Sequence, residues 1–299
     1  MNEQNDNHRF DPEILRQLGR IDLIARAIVQ GVQWGKHRSR RRGFSTEFSE
    51  FRPYTTGDDA RVMDWRLYAR TDRLYIKCFE AETCLEVYLL LDATPSMAWR
   101  WRDTVTKLEY GVNLQAALAC LHMTQHDPVA LLLYDGKDLQ CLPPRCRRAH
   151  LDDMFACLAT IQPGHAAALP FLIRALGKER RRRGRVIVCS DLLENEQELT
   201  AALASLVGAG DECVLLHLLD RAEIDLPFDG ATHVQDSETG AVVPMDLHSI
   251  RTRHGERIRT FREQWRQRCV DGGIQYVPVS TEMSYVDVIR TLLDERRRS

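Results

Sequence analysis

Two carboxylates, each placed directly after an apolar run, are the residues best positioned to do chemistry. Residues 87–91 (VYLLL) run into Asp92-Ala93-Thr94-Pro95-Ser96-Met97, and residues 186–189 (VIVC) run into Ser190-Asp191-Leu192. In an open parallel sheet, ligands gather beyond the carboxyl ends of the strands, where strand order reverses. Hydroxyls two and four residues after Asp92 add neutral oxygens from the same loop. Mg²⁺ takes about six oxygens, commonly one or two carboxylates with neutral oxygens and water. Asp92, Thr94, Ser96 and Asp191 therefore form a candidate set for a divalent cation, Mg²⁺ or Mn²⁺. An ion held mainly by neutral ligands keeps positive charge and attracts a carboxylate from a partner protein. The same residues leave a second reading open, in which Asp92 and Ser96 only cap the next helix and hold the loop. His165, between the two strands, is a weaker candidate because imidazole suits transition metals better than Mg²⁺.

Catalysis is not the expectation. A strand-terminal aspartate can act as the nucleophile of a phosphohydrolase, but the general acid is then needed two residues on, where Thr94 stands. No G-x-x-x-x-G-K-[ST] loop, G-x-S-x-G elbow or H-E-x-x-H helix occurs. Arginine runs at 38–42, 180–183 and 296–298 raise a nucleic-acid alternative. The formal net charge of −2 argues against a chain built to coat phosphate. Cations at 180–183 also suit the carboxyl end of a helix.

Residues 43–82 differ from everything around them. Aromatics alternate there with both signs of charge, and neither helical nor strand period dominates. The spaced residues are Glu47, Arg52, Tyr54, Gly57, Asp58, Asp59, Arg61, Asp64, Trp65, Arg66, Arg70, Glu80 and Glu82. Gly57 ahead of two aspartates fits a turn. The aspartates and arginines suggest an internal ion-pair network that locks an irregular segment onto a folded body, or a docking surface for a partner.

This pattern closely resembles the signature of the bacterial DUF58 family. The loop from Asp92 to Ser96, with Asp191, resembles the metal-ion-dependent adhesion site of von Willebrand factor A-like domains. The resemblances together cover residues ~40–295. They imply a doubly wound, mainly parallel Rossmann-like sheet and a protein-binding role, in the assembly or maturation of a client beside a MoxR-type AAA+ ATPase. One departure is plain. That motif takes a threonine from a middle loop, and no threonine occurs here between Ile161 and Leu199.

The elements that must position these residues follow from hydrophobic period. From residue 85 onward, short apolar runs alternate with helical stretches, the pattern of a parallel sheet covered on both faces. Strands are expected at 87–91, 129–134, 139–142, 186–189, 214–219 and 274–279, and helices at 104–125, 151–161, 169–176, 197–207, 250–269 and 285–293. A hairpin turn is expected at Glu238-Thr239-Gly240. Before the sheet, Asp11 and Pro12 start a helix whose apolar face runs from Ile14 to about Trp34. The expected organisation is a tail over 1–10, a helix and signature segment over 11–84, and the sheet domain over 85–299. Nine cysteines without a C-x-x-C pair read as reduced core thiols. No apolar run approaches the ~18 residues of a membrane span, and residues 1–10 are polar, so the chain is expected to be cytoplasmic.

Overall fold

The computed structural model describes residues 11–38, 48–55, 63, 65–79, 85–102, 104–134, 139–164, 169–180, 182–227, 231–235 and 242–295. The chain divides into two compact units, one of residues up to Gly35 together with 85–299, the other of residues 36–84.

The larger unit is built on a six-stranded sheet. Its strands are β3 (Glu86–Leu91), β4 (Val129–Tyr134), β5 (Leu139–Arg145), β6 (Gly184–Ser190), β7 (Glu212–Leu219) and β10 (Gln275–Ser280). Their order is β10-β7-β6-β3-β4-β5. Every pairing is parallel except β4 with β5. The chain leaves β3 toward β4 and later returns to β6 on the other side of β3, so strand order reverses between β3 and β6. The expected α/β, doubly wound, mainly parallel architecture is the one observed.

Alternation within β3 sends side chains to two cores. Val87, Leu89 and Leu91 face one, shared with α4 (Lys107–Thr124), α5 (Arg148–Thr160) and α10 (Tyr285–Glu295). Tyr88 and Leu90 face the other, shared with α6 (Leu169–Glu179), α7 (Glu196–Gly208) and α9 (Leu247–Asp271). Helix α4 is buried on nearly all sides. One side lies on the sheet. Gly111 permits that approach, since a Cβ there would come within 2.8 Å of Leu91 Cδ1.

The outer side of α4 is covered by the chain's beginning. Helices α1 (Pro12–Arg16) and α2 (Ile21–Arg38) contribute Leu15, Ile24, Ile28, Val29 and Val32 to the same core. Arg16 pairs with Glu109 at 3.2 Å, and Arg290 Nη2 donates to Gly31 O at 3.4 Å. Residues 11–35 therefore belong with the sheet and not with the signature segment, a correction to the expected boundary at 84. Of the expected apolar face, Ile24 and Ile28 find their partner within the chain, while Ile14, Leu18 and Trp34 stand exposed. The expected single helix is also two, broken at residues 17–20, where Gly19 adopts φ +64°.

The smaller unit is more regular than its mixed period suggests. Strand β1 (Phe48–Pro53) pairs antiparallel with β2 (Tyr75–Phe79), with Arg52 opposite Ile76, and α3 (Trp65–Thr71) lies between them in sequence. Backbone pairing supplies the order that side-chain period does not announce. In the larger unit, β8 (Ala231–Gln235) and β9 (Val242–Asp246) pair antiparallel on either side of the expected turn. The turn residues 238–240 and the tail over 1–10 lie outside the described residues. Cys141 and Cys146 are exposed on and just after the edge strand β5, contrary to the expectation of core thiols, while Cys120, Cys189, Cys213 and Cys269 are buried.

Candidate functional site at the carboxyl edge

The reversal between β3 and β6 brings the two strand-end carboxylates together. Asp92 N donates to Cys189 O at 2.9 Å, which carries the β3–β6 pairing one residue past β3. Asp92 is fully buried. Its Oδ1 accepts from Thr94 N at 2.9 Å, and its Oδ2 accepts from Ser190 Oγ at 2.6 Å. Thr94 Oγ1 and Ser96 Oγ, the latter in a 3-10 turn (Pro95–Ala98), share a hydrogen bond of 2.9 Å. All four expected ligands lie at this edge, and all are buried. Burial, and then the neighbouring Asp191 carboxylate, raise the Asp92 pKa well above the usual carboxylate range, against hydrogen bonds from Ser190 and Thr94.

The turn after β6 is strained. Leu192, buried, adopts φ +60°, a left-handed conformation that costs a branched residue energy. Its N–H donates to Ser190 Oγ at 3.0 Å, and Leu193 N donates to Asp191 Oδ1 at 3.4 Å. The middle loop reaches the same place through its backbone, with Gly164 N donating to Ala93 O at 2.8 Å. His165 lies outside the described residues.

Asp191 has a partner that the strand-end pattern did not include. Lys107, with 0% side-chain exposure, places Nζ 2.7 Å from Asp191 Oδ2 and 2.6 Å from Glu223 Oε1. It opens α4 just after the N-cap Thr106, whose capping box with Glu109 fixes where the helix begins. Burial disfavours the ammonium, but Asp191 and Glu223 outweigh it and raise the Lys107 pKa. Glu223 is held from its other oxygen, Oε2, which accepts from Asp220 N at 2.8 Å at the start of α8 (Arg221–Asp225). Burial raises the Glu223 pKa while Lys107 pulls it back. Asp220, at the end of β7, accepts from Ala222 N at 2.8 Å and from Thr281 Oγ1 at 2.9 Å.

These contacts test the fit of a divalent ion. Asp191 is already met by an ammonium, both Asp92 oxygens accept hydrogen bonds, and the two hydroxyls bond to each other. The middle threonine is missing from the sequence. Among the described residues, no group of three or more His, Cys, Asp or Glu side chains is arranged to hold a metal. The side chains as arranged do not fit the ion that the strand-end motif suggested. They fit a buried ion-pair network in which Lys107 supplies the positive charge. Two sequence signals pointed to it: a lysine opening a helix that is otherwise largely apolar, and a third strand ending in a carboxylate, at Asp220.

The signature residues divide. Tyr54 N donates to Leu74 O at 3.0 Å and prolongs the β1–β2 ladder. Trp65 is 60% exposed and meets Tyr68 edge-on at 6.4 Å, and Arg70 is exposed in the last turn of α3. Arg52 and Arg66 lie within β1 and α3. Glu47, Gly57, Asp58, Asp59, Arg61, Asp64, Glu80 and Glu82 lie outside the described residues, and the expected ion-pair network with them. Of the arginine run, Arg180 is engaged internally in an ion pair with Asp211.

A family model described as "Protein of unknown function DUF58" matches residues 50–264, well over half of the chain. The chain belongs to the DUF58 family. The match takes in most of the signature segment and most of the six-stranded sheet unit, including the Asp92, Lys107, Asp191 and Glu223 positions. An uncharacterized protein of Mycobacterium tuberculosis is 26% identical over 292 residues, covering 96% of the DUF58 chain and 91% of the relative. Among solved structures, a conserved hypothetical protein BatB from Bacteroides thetaiotaomicron is similar at 19% identity, with 72% of this chain and 100% of that chain covered and a TM-score of 0.48. The SpRpn10 VWA domain is similar at 11% identity, with 70% and 95% covered and a TM-score of 0.40. Among the described residues of the DUF58 chain, no helix is long and apolar enough to cross a membrane.

Proposed function

We propose that this DUF58 protein is a non-catalytic, cytoplasmic adaptor that binds protein partners at the carboxyl edge of its sheet, in company with a MoxR-type AAA+ ATPase, during assembly or maturation of a client. One observation carries most of the reading. The loop that follows Ser96 carries an aromatic and basic cluster, in which Trp101 lines a cavity with Asp220 and Thr281. Arg100 and Arg102 are exposed, and the Arg102 guanidinium sits 5.1 Å from the Trp101 ring. Tryptophan and arginine are the side chains most often dominant at protein interfaces, and two arginines favour an acidic partner surface. The polar groups beneath the loop are engaged with one another, Ser190 with Asp92 and Thr94 with Ser96. A cavity lined by Trp101, Thr104, Asp220 and Arg221 holds about 240 Å³, below the ~300 Å³ at which pockets for small molecules usually begin, and a second, of about 420 Å³, is lined by Ala98, Thr106 and Pro163 among others.

The test is retention of a purified MoxR-type ATPase from the same genome on the full-length chain. Retention is expected, with at least a roughly tenfold loss in an Arg100→Glu/Arg102→Glu variant that melts like wild type. Failure to retain the ATPase would sink the partner assignment, and metal-dependent release of phosphate from a generic ester would sink the non-catalytic one. Nucleic acid retained in a steeply salt-dependent way would point to the arginine runs instead.

A further inference from the structure

We propose that Lys107 is the built-in cation of the carboxyl edge, its ammonium engaging the Asp191 carboxylate that a divalent ion would need, so that the folded site needs no metal. The geometry is specific. Asp191 Oδ2 and Glu223 Oε1 come from chain segments 84 and 116 residues away from Lys107, and both close on one Nζ at 2.7 and 2.6 Å. Each carboxylate is oriented independently of the lysine. Leu193 N holds the other oxygen of Asp191, and Asp220 N holds the other oxygen of Glu223. The lysine is likewise fixed from behind, by the Thr106 cap and by Gly111 seating α4 against Leu91. Two carboxylate oxygens converging on one buried point from a rigid frame suit a compact ammonium, and are far short of the roughly six oxygens that Mg²⁺ takes. An ammonium there has a consequence that a metal would not: it is covalently tied to α4, it cannot be chelated, and being buried it cannot bind a partner's carboxylate. The edge then recruits partners by its surface side chains and not by coordination.

The test uses the full-length, chelator-stripped protein as wild type, Lys107→Ala and Asp92→Asn, melted with and without millimolar MgCl₂ or MnCl₂. Wild type is expected to show no shift with either ion. Lys107→Ala, which removes the ammonium and leaves room, is expected to melt lower and to regain about 5–10 °C with Mn²⁺ at saturating concentration. A wild-type shift of that size, absent in Asp92→Asn, would overturn the proposal, because a metal would then sit beside the lysine. A destabilised Lys107→Ala that neither ion rescues would also overturn it, leaving an ordinary buried ion pair. So would a Lys107→Ala as stable as wild type. Should Lys107→Ala not fold without metal, refolding in millimolar Mn²⁺ decides: recovery of the folded state supports the proposal, and failure to recover overturns it. None of these readouts involves a partner, so the adaptor reading stands or falls separately.

Discussion

The two ends of the central strands bury charge in opposite ways. At the amino end of β6, Arg180 pairs with Asp211, Asp211 Oδ1 accepts from Gly184 N at 3.0 Å, and Arg185 Nη2 donates to Gln275 Oε1 at 3.1 Å. Acid there is met by base. At the carboxyl end, Asp92, Asp191 and Asp220 are all buried with Glu223 beside them, and Lys107 is the lysine set among them. The amino end behaves as a structural clasp, whose ion pair is stabilised locally by a backbone donor. The carboxyl end carries an excess of acid at the point where strand order reverses, together with a left-handed Leu192. Strain and unbalanced charge collect where function is expected, and ordinary pairing holds the other end.

The largest effect that would sharpen this contrast is at Lys107. Lys107→Met leaves two buried carboxylates without a counter-charge and is expected to cost about 3–5 kcal/mol in a denaturant melt. Asp191→Asn added to it is expected to recover part of that loss, and strict additivity would show that the pair does not interact. Arg180→Met, at the balanced end, is expected to cost less, about 1–3 kcal/mol, because one carboxylate, Asp211, and not two loses its counter-charge. Equal losses at the two ends would erase the distinction.

A pH series adds a further test. His217, on β7 beside Ser190 of β6, bonds through Nδ1 to Tyr276 at 2.6 Å. Burial chiefly, with Arg262 and Lys107 helping and Asp191 opposing, lowers its pKa from 6.5 to about 3. The fold therefore holds a neutral imidazole that the unfolded chain protonates more readily. Its contribution is fully present above about pH 6.5 and is lost as pH falls toward 3. Wild type is expected to lose stability more steeply than His217→Gln across that window, and parallel curves would show that the histidine is not buried as described.

The smallest effect is expected at Asp92. An asparagine can still accept from Thr94 N and can donate to Ser190 Oγ, and it relieves repulsion with Asp191. Asp92→Asn is thus expected within about 1 kcal/mol of wild type by denaturant melt, where loss of an essential charge would cost several. A large loss would mean that Asp92 acts as an obligatory anion.

Much of this was legible before folding. The runs at 87–91 and 186–189 announced strands by apolar content, and the residues after them placed Asp92 and Asp191 at a shared edge. The apolar faces of residues 108–121 announced a helix with no wet side. The signature segment was legible as a pattern but not as structure, because β1 and β2 are defined by backbone pairing between Arg52 and Ile76, and side-chain period does not report it. The cover over α4 was half legible: the helical apolar period called for a partner, and only packing decided that Ile24 and Ile28 would be buried in the shared core while Ile14 and Trp34 stay exposed.

What the sequence by itself determined is local, namely which stretches prefer strand or helix and which side chains stand at their ends. Lys107 belongs to the other category. Alone, it is a lysine in the first turn of a helix, where a cation is normally solvated and slightly unfavourable against the helix dipole. Tertiary structure decided otherwise. Winding the chain across the sheet and back carried Asp191 and Glu223, 84 and 116 residues distant, to the same buried point. A buried charge is tolerated only where opposite charge converges on it, and convergence over such separations is a property of the fold.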